Sequence, residues 1–416
     1  CNPLKLLFQQ KGVKMNTKKR AVRLISGFFI VVACIFIILL IAVFALWHNE
    51  ISSVASIKKI SDANPAHDDG AVYTMKVSGD YYFDDFLKEN GAKNDTELIS
   101  FITGKITKGI IPMKIKNSEI ACSAFTASTT DGKRIFGRNY DFKKTNTMIV
   151  HTNPGGGRHA SVSTVDLQFV SVNIDTGITG LKDKILCLAA PYAPLDGVND
   201  AGVSCGIFMS YQGEKTVPTD VNTDKPDLTS TTMLRMVLDY ADNVDEAVEM
   251  IQKYDLHDSA KTSYHYMIAD ATGKSAILEW VNGTDSTDND ASKRKLNVIY
   301  NDPTKESNYQ IITNYILSDG YYKDVPEKEA HGVDRLKMLE AALAPKGGVL
   351  ADEEEGMKTL AIVGRRGMNN TDSNSLTIHS VVYNLTDKTG LWVDNEHYGE
   401  KEHTFILDLE NTKASK

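Results

Sequence analysis

The sequence predicts an α+β domain of stacked helix and sheet layers, preceded by one membrane-spanning helix. Two observations carry this. Leu24 to Trp47 contains no charged residue and follows a basic cluster, Lys18-Lys19-Arg20 with Arg23. Further on, from Cys122, the apolar pattern runs at period two, shifts to helical spacing between Thr229 and Tyr254, and returns to period two near the end. Strands, then helices, then strands suit a layered α+β core.

The apolar run spans a hydrocarbon core of roughly 30 Å at about 1.5 Å per residue. It is longer than the ~7–15 apolar residues of a secretory signal, so an uncleaved signal anchor is expected. The preceding positive charge puts the N-terminus in the cytoplasm and the rest outside. Val31-Val32-Ala33-Cys34 has the look of a lipoprotein cleavage box, but the apolar run continues well past Cys34. Residues 1–14 carry no usable pattern and Met15 reads as the native start; the stretch 1–23 ahead of the apolar run reads as a cytoplasmic tail, with 1–14 set aside as not native. Residues 48–72, polar and containing Pro65, read as a linker. Tyr73 to Ile120 reads as folded, with the apolar bulk of Tyr81-Tyr82-Phe83 and Phe86-Leu87. A helix is predicted there from an Asn94 or Asp95 cap to about Gly104.

Cys122 opens the region that organises the chain. Cys122 to Ser128 alternates as a strand, Asp131-Gly132 forms a two-residue turn, and Arg134 to Gly137 returns. That hairpin brings Arg138, Asn139 and Asp141 back beside Cys122. A thiol, a guanidinium and a carboxylate then share one end of a sheet. Further strands are predicted at Met148–Thr152, Val165–Val172, Ile185–Ala190 and Val203–Met209. Helices follow at Thr229–Tyr240 and from Val244 to Tyr254, then a hairpin about Gly273, a helix from Gly332 through Leu343, and strands from Thr377 to Leu391.

The chain has 46 basic and 54 acidic residues, for a net charge of −8. No basic stripe occurs outside the N-terminal tail, which argues against a nucleic-acid partner. Five cysteines (1, 34, 122, 187 and 205) show neither C-x-x-C pairing nor His-rich spacing, so no zinc site is expected. Cys187 and Cys205, read as lying on strands joined by the loop 191–202, could pair outside the cell or stay as packed thiols.

Cys122, Asp131-Gly132 and Gly137-Arg138-Asn139-Tyr140-Asp141 resemble the start of the mature chain in the choloylglycine hydrolase family. These are the linear amide C–N hydrolases of the N-terminal nucleophile (Ntn) superfamily. Asp196-Gly197-Val198-Asn199-Asp200-Ala201-Gly202, Thr313-Asn314 and Asp334-Arg335-Leu336 continue the resemblance in the family's order. It implies a four-layer αββα sandwich over 122–416 and hydrolysis of an N-acyl amide, a small-molecule substrate, without a cofactor. Bile salts, penicillin V and fatty-acid amides are among the substrates of similar proteins. Acyl transfer to an amine, or a non-catalytic surface binding role, are the alternatives; oligomeric state is unreadable.

The resemblance also assigns roles. Cys122 would be the nucleophile, and its free α-amine, titrating near ~8, the base. Arg138 would lie against the thiol, favouring thiolate. Asp141 would hold the amine, Asn314 would donate to the oxyanion, and Arg335 would brace the centre. Bile-salt members often carry Asn on the strand after the Asn-x-x-Gly turn. Met209 stands there in this chain, and methionine donates no hydrogen bond, which leaves Tyr211 or a backbone N–H for that role. Because Cys122 is internal, its amine is exposed only by cutting Ala121–Cys122, most simply by attack of its own thiol. Residues 73–121 are then expected to stay docked as a non-covalent partner.

Overall fold

The computed structural model describes residues 3–106, 109, 121–211, 217–282, 290–302, 304, 308–319, 330–368 and 376–409. Residues 110–120, part of the segment read as folded, lie outside it. The chain divides into two compact units, Cys1–Ser52 and Ser53–Lys416.

The first unit consists of most of a long helix, α1 (Pro3–Ser56). Ala21–Ser56 is the stretch of it long and apolar enough to cross a membrane. Its apolar side chains, Phe28, Ile38 and Phe44 among them, are exposed. The helical dihedrals break at Trp47, where the uncharged run ends.

The second unit is α+β. In chain order its strands begin with β1 (Lys58–Ser61), β2 (Val72–Val77), β3 (Ala121–Thr129), β4 (Arg134–Phe142), β5 (Thr147–Thr152) and β6 (Ser161–Asp166). Then come β7 (Asp196–Asn199), β8 (Ser204–Met209), β9 (Asp227–Thr229), β10 (Asp255–His257), β11 (Tyr264–Ala269) and β12 (Ser275–Val281). The series closes with β13 (Lys295–Tyr300), β14 (Ile311–Ile312), β15 (Val349–Leu350), β16 (Leu376–Asn384), β17 (Thr389–Asp394) and β18 (Thr404–Asp408). The helices are α2 (Phe83–Lys88), α3 (Asp95–Lys105), α4 (Leu181–Leu186), α5 (Ser230–Tyr240), α6 (Val244–Ile251), α7 (Val333–Leu343) and α8 (Glu353–Ala361).

One sheet of nine strands runs β1-β2-β5-β6-β7-β8-β11-β12-β13, and a second of seven runs β14-β3-β4-β16-β17-β18 with β15 also on β3. Strand alternation sorts the side chains between layers. On β16, His379 and Tyr383 reach Asp196 of the nine-stranded sheet. The intervening Val382 faces α8, where a Cβ on Gly356 would come within 3.2 Å of it. On β7, Asp196 points at the other sheet, while a Cβ on Gly197 would meet Leu238 of α5. The two sheets therefore face each other, with α5 on one flank and α8 on the other. Both faces of each sheet are covered, which is why β4 is buried at every position after Arg134.

Several predicted elements are corrected. Ile185–Ala190 is not a strand: α4 and a 3₁₀ turn at Cys187–Tyr192 occupy it. Its unbroken apolar run is covered on all sides, and burial alone does not separate strand from helix. Val165–Val172 is a strand only to Asp166, whose carboxylate accepts from the Gln168 N–H and starts a 3₁₀ turn. α6 stops at Ile251 rather than Tyr254. The β3–β4 turn spans residues 130–133, with Gly132 at φ 86°. Residues 48–72, read as a linker, contain the last turns of α1 and strand β1. β2, also before Cys122, pairs parallel with β5, so this early segment builds one edge of the nine-stranded sheet. α3 is capped by Asn94, whose side chain accepts from the Glu97 N–H.

Candidate active site

The site lies at the end of the β3–β4 hairpin. Cys122 pairs in register with Tyr140 and Ala124 with Arg138, so thiol and guanidinium project on one face, between the sheets. Gly137 makes room: a Cβ there would sit 2.7 Å from the Phe125 ring.

Arg138 Nη2 donates to Cys122 Sγ at 3.5 Å and to the Ile207 carbonyl at 2.7 Å. Its Nη1 donates to Asp196. Asp196 also accepts from the Tyr383 hydroxyl at 2.6 Å and lies 2.9 Å from His379 Nε2. Arg138 and His379 hold the Asp196 carboxyl well below the usual range, against its burial. The guanidinium is thus fixed by Asp196 and the Ile207 carbonyl, with Nη2 shared between that carbonyl and the sulfur.

The other residues close around the Cys122 backbone. Its N–H donates to Asn314 Oδ1 at 3.1 Å, and its carbonyl accepts from Arg335 Nη1 at 2.5 Å. Arg335 Nη1 also lies 3.2 Å from Asp141 Oδ2, and Nη2 donates to Asn314 Oδ1 at 2.5 Å. The Thr377 hydroxyl donates to Asp141 Oδ1 at 2.7 Å. Because a guanidinium only donates, Arg335 fixes which end of the Asn314 amide faces Cys122. Asn314 Nδ2 donates to the Met209 carbonyl at 2.5 Å. Gly332, at φ 84°, brings α7 against this loop; a Cβ there would be 2.8 Å from the Asn314 nitrogen.

Cys122, Arg138, Asp141, Asn314 and Arg335, far apart in sequence, therefore converge. Met209 meets them through its carbonyl, its side chain being buried. The Tyr211 N–H donates to the Asn314 carbonyl at 3.3 Å, and its ring stacks on His331 at 4.0 Å between centroids. Sequence reasoning missed Thr377, His379 and Tyr383 as partners of this site, because no local pattern marks a strand residue whose partner lies on another sheet. Asp196 stood inside a recognised motif and was the one that could have been found.

One electrostatic expectation is corrected. Burial pushes the Cys122 thiol up to about 11, outweighing the pull of Arg138 toward thiolate. Burial likewise raises Asp141, against the downward pull of Arg335. Cys187 and Cys205 are separate buried thiols, Cys187 pushed up to about 12 by burial. Cys187 lies on a 3₁₀ turn rather than a strand.

Two facing mixed sheets with helices on their flanks, and a cysteine ringed by arginine, carboxylate and amide groups at a hairpin end, define an α+β fold of the Ntn-hydrolase type. Residues 122–342, more than half of the chain, match the model of the linear amide C–N hydrolases, choloylglycine hydrolase family. The protein belongs to that family. Among solved structures it is similar to penicillin V acylase from Agrobacterium tumefaciens, with 16% identity, 70% of this chain and 86% of that chain covered, and a TM-score of 0.46. A mutant of the conjugated bile acid hydrolase from Clostridium perfringens gives 17% identity, 71% and 95% coverage, and a TM-score of 0.46. The Caenorhabditis elegans ortholog of N-acylethanolamine-hydrolyzing acid amidase gives 15%, 69% and 100%, and 0.39.

Proposed function

We propose that this amide hydrolase acts on N-acyl amides through a Cys122 thioester, after exposing the Cys122 amine by self-cleavage. The observation that carries the reading is the Cys122 environment: Arg138 at the sulfur, Asn314 at the nitrogen and Arg335 at the carbonyl. The family match beginning at Cys122 supports it further.

In the precursor, the thiol attacks the Ala121 carbonyl. The C–N bond breaks as the nitrogen takes the proton, and water hydrolyses the ester to leave a free Cys122 amine. In turnover that amine, held beside Asn314 Oδ1, takes the thiol proton and later protonates the leaving amine. In the uncut chain burial pushes the thiol up to about 11, so a base beside the sulfur is what would make it nucleophilic. The second Nδ2 hydrogen of Asn314, or the Tyr211 hydroxyl, is suited to the oxyanion.

A cavity with apolar walls, sharing strand β8 with the site, favours an apolar acyl group. Its walls include Leu98 and Ile102 of α3, Phe169, Leu195, Ile207 and Tyr264. Ile207 and Tyr264 link this wall to the site through the backbone: the Ile207 carbonyl accepts from Arg138, and Tyr264 pairs in register with Met209, whose carbonyl accepts from Asn314. Because α3 precedes the cleavage point, the early segment would stay docked and shape acyl selectivity. Leu24–Trp47 would anchor the assembly in a membrane with the catalytic part outside the cell.

The test is mass analysis of the purified chain, together with turnover of a series of N-acyl amides of rising acyl length. A fragment beginning at Cys122, and a kcat/KM that climbs with acyl length and vanishes in Cys122→Ala, are expected. A single uncut chain with full activity would defeat the mechanism.

A further inference from the structure

The turn between β17 and β18 gathers a group of side chains that takes no part in the chemistry above. It runs from Asp394 through His397 and Glu400 to His403. One nitrogen of each imidazole and a Glu400 oxygen lie within 4.8 Å of one another. His397 Nδ1 is 3.2 Å from Glu400 Oε1, and the two rings stack at 3.9 Å between centroids. The remaining polar position on each ring is taken by a buried carboxylate. His397 Nε2 lies 3.0 Å from Asp69 Oδ2, and His403 Nδ1 lies 2.8 Å from Asp394 Oδ1. Asp69 and Asp394 are 2% and 0% exposed, whereas His397, His403 and Glu400 are 20%, 23% and 52% exposed.

An imidazole whose far nitrogen is fixed by a carboxylate presents its near nitrogen to a metal in a set orientation. Both rings meet that condition here. We propose that His397, Glu400 and His403 bind a divalent transition ion of the zinc type, with solvent completing the coordination. Two imidazoles and one carboxylate suit zinc better than calcium or magnesium, which take oxygen ligands. Three ligands open to solvent are the pattern of an accessible zinc site. Ligands about 2.0–2.1 Å from a tetrahedral ion stand ~3.3 Å apart, the spacing His397 and Glu400 already have. The stacked rings, 17° from parallel, open toward a shared ion by turning about χ2, a soft torsion.

Charge points the same way. The three carboxylates touching the rings, set against Arg366 on Asp69, leave two negative charges when the imidazoles are neutral. A dication balances them. The sequence predicts no zinc site because it lacks C-x-x-C pairs and His-rich spacing; the geometry of His397, Glu400 and His403 departs from that expectation. Asp69 belongs to the segment before Cys122, and the adjacent Gly70 exchanges hydrogen bonds with Asn395 at 3.3 and 3.1 Å. The ion would therefore fasten that segment to the C-terminal hairpin.

The full chain carrying Cys122→Ala, which keeps it uncut under the proposed self-cleavage, is purified in detergent, stripped with chelator and titrated with Zn²⁺ by calorimetry. Co²⁺ replaces Zn²⁺ for absorption spectra. One Zn²⁺ per chain and tetrahedral-type Co²⁺ bands are expected. His403→Ala and Glu400→Gln should each weaken binding at least tenfold, and Asp69→Asn about 10- to 100-fold. Should His403→Ala fail to fold, Glu400→Gln, at an exposed side chain, decides alone. No stoichiometric Zn²⁺, or an affinity unchanged in Glu400→Gln, would overturn the proposal and leave a cluster that answers to protons only.

Discussion

Among the described residues, two buried clusters set arginines against carboxylates, and one of the two has the parts for catalysis. At the hairpin end, Arg138 and Arg335 meet Asp196 and Asp141 around Cys122. Across the nine-stranded sheet, Arg235 and Arg158 meet Asp239 at 2.8 and 3.4 Å. There Asp239 accepts from the Tyr81 hydroxyl at 2.6 Å, and the Tyr81 carbonyl accepts from the Tyr192 hydroxyl at 2.7 Å. In both clusters burial raises the acid beside the guanidinium: Cys122 to about 11, and Tyr81 well above the usual phenol range. A nearby arginine therefore does not by itself make a buried acid reactive. The first cluster differs in holding a backbone nitrogen, that of Cys122, which cleavage would turn into a base. The second ties Tyr81, from the segment before Cys122, to α5.

The sharpest break in the comparison is Cys122→Ala. It should abolish both turnover and cleavage, giving one full-length band on denaturing gels where wild type gives two, while leaving the Asp239 cluster intact. Two bands from Cys122→Ala would show that another protease makes the cut.

Asp141→Asn comes next. It should lower kcat by about 10²-fold or more with little change in KM, because it disturbs the amine's surroundings rather than substrate binding. Steady-state kinetics on a folded variant check this, and a rise in KM alone would move Asp141 to a substrate-binding role.

The thiol's titration gives a graded effect. Below a pKa of about 11 the thiolate fraction grows about tenfold per pH unit, so precursor cleavage in pulse-chase should quicken as pH rises from about 7 to 9. Stability moves the other way. With the folded pKa raised, the folded state keeps its proton longer, so this contribution is complete below the unfolded pKa and is lost as pH climbs toward 11. A cleavage rate flat across that range would mean that deprotonation of the thiol does not limit it.

The smallest effects fall in the second cluster. In the uncut Cys122→Ala chain, Asp239→Ala leaves the buried Arg235 without its carboxylate and should cost about 3–5 kcal/mol in urea unfolding. Tyr81→Phe removes one hydrogen bond to a charged acceptor and should cost about 1.5–3 kcal/mol. In the otherwise wild-type chain, Tyr81→Phe should release more of the early segment on washing while the catalytic fragment keeps its alkylation rate at Cys122. A parallel loss of that reactivity would show the two clusters to be coupled.

The sequence by itself determined whatever depends on neighbours along the chain. The uncharged run, and the long helix it forms, are visible because apolar length is a property of consecutive residues. The β3–β4 hairpin is visible because period two and Asp131-Gly132 are local signals, and pairing the strands brings Arg138 and Asp141 back to Cys122 without knowledge of the rest. The caps and spacing of α3, α5 and α7 are of the same kind. What only the tertiary structure decided depends on distant strands meeting. β1 and β2 join β5 because a sheet edge is completed by whatever segment can pair with it, and nothing within 58–77 announces that partner. The bracing of Arg138 by Asp196, His379 and Tyr383 requires two sheets to face each other at a set register. The height of the Cys122 pKa is likewise a tertiary quantity: sequence shows the arginine that lowers it, and only packing shows the desolvation that wins.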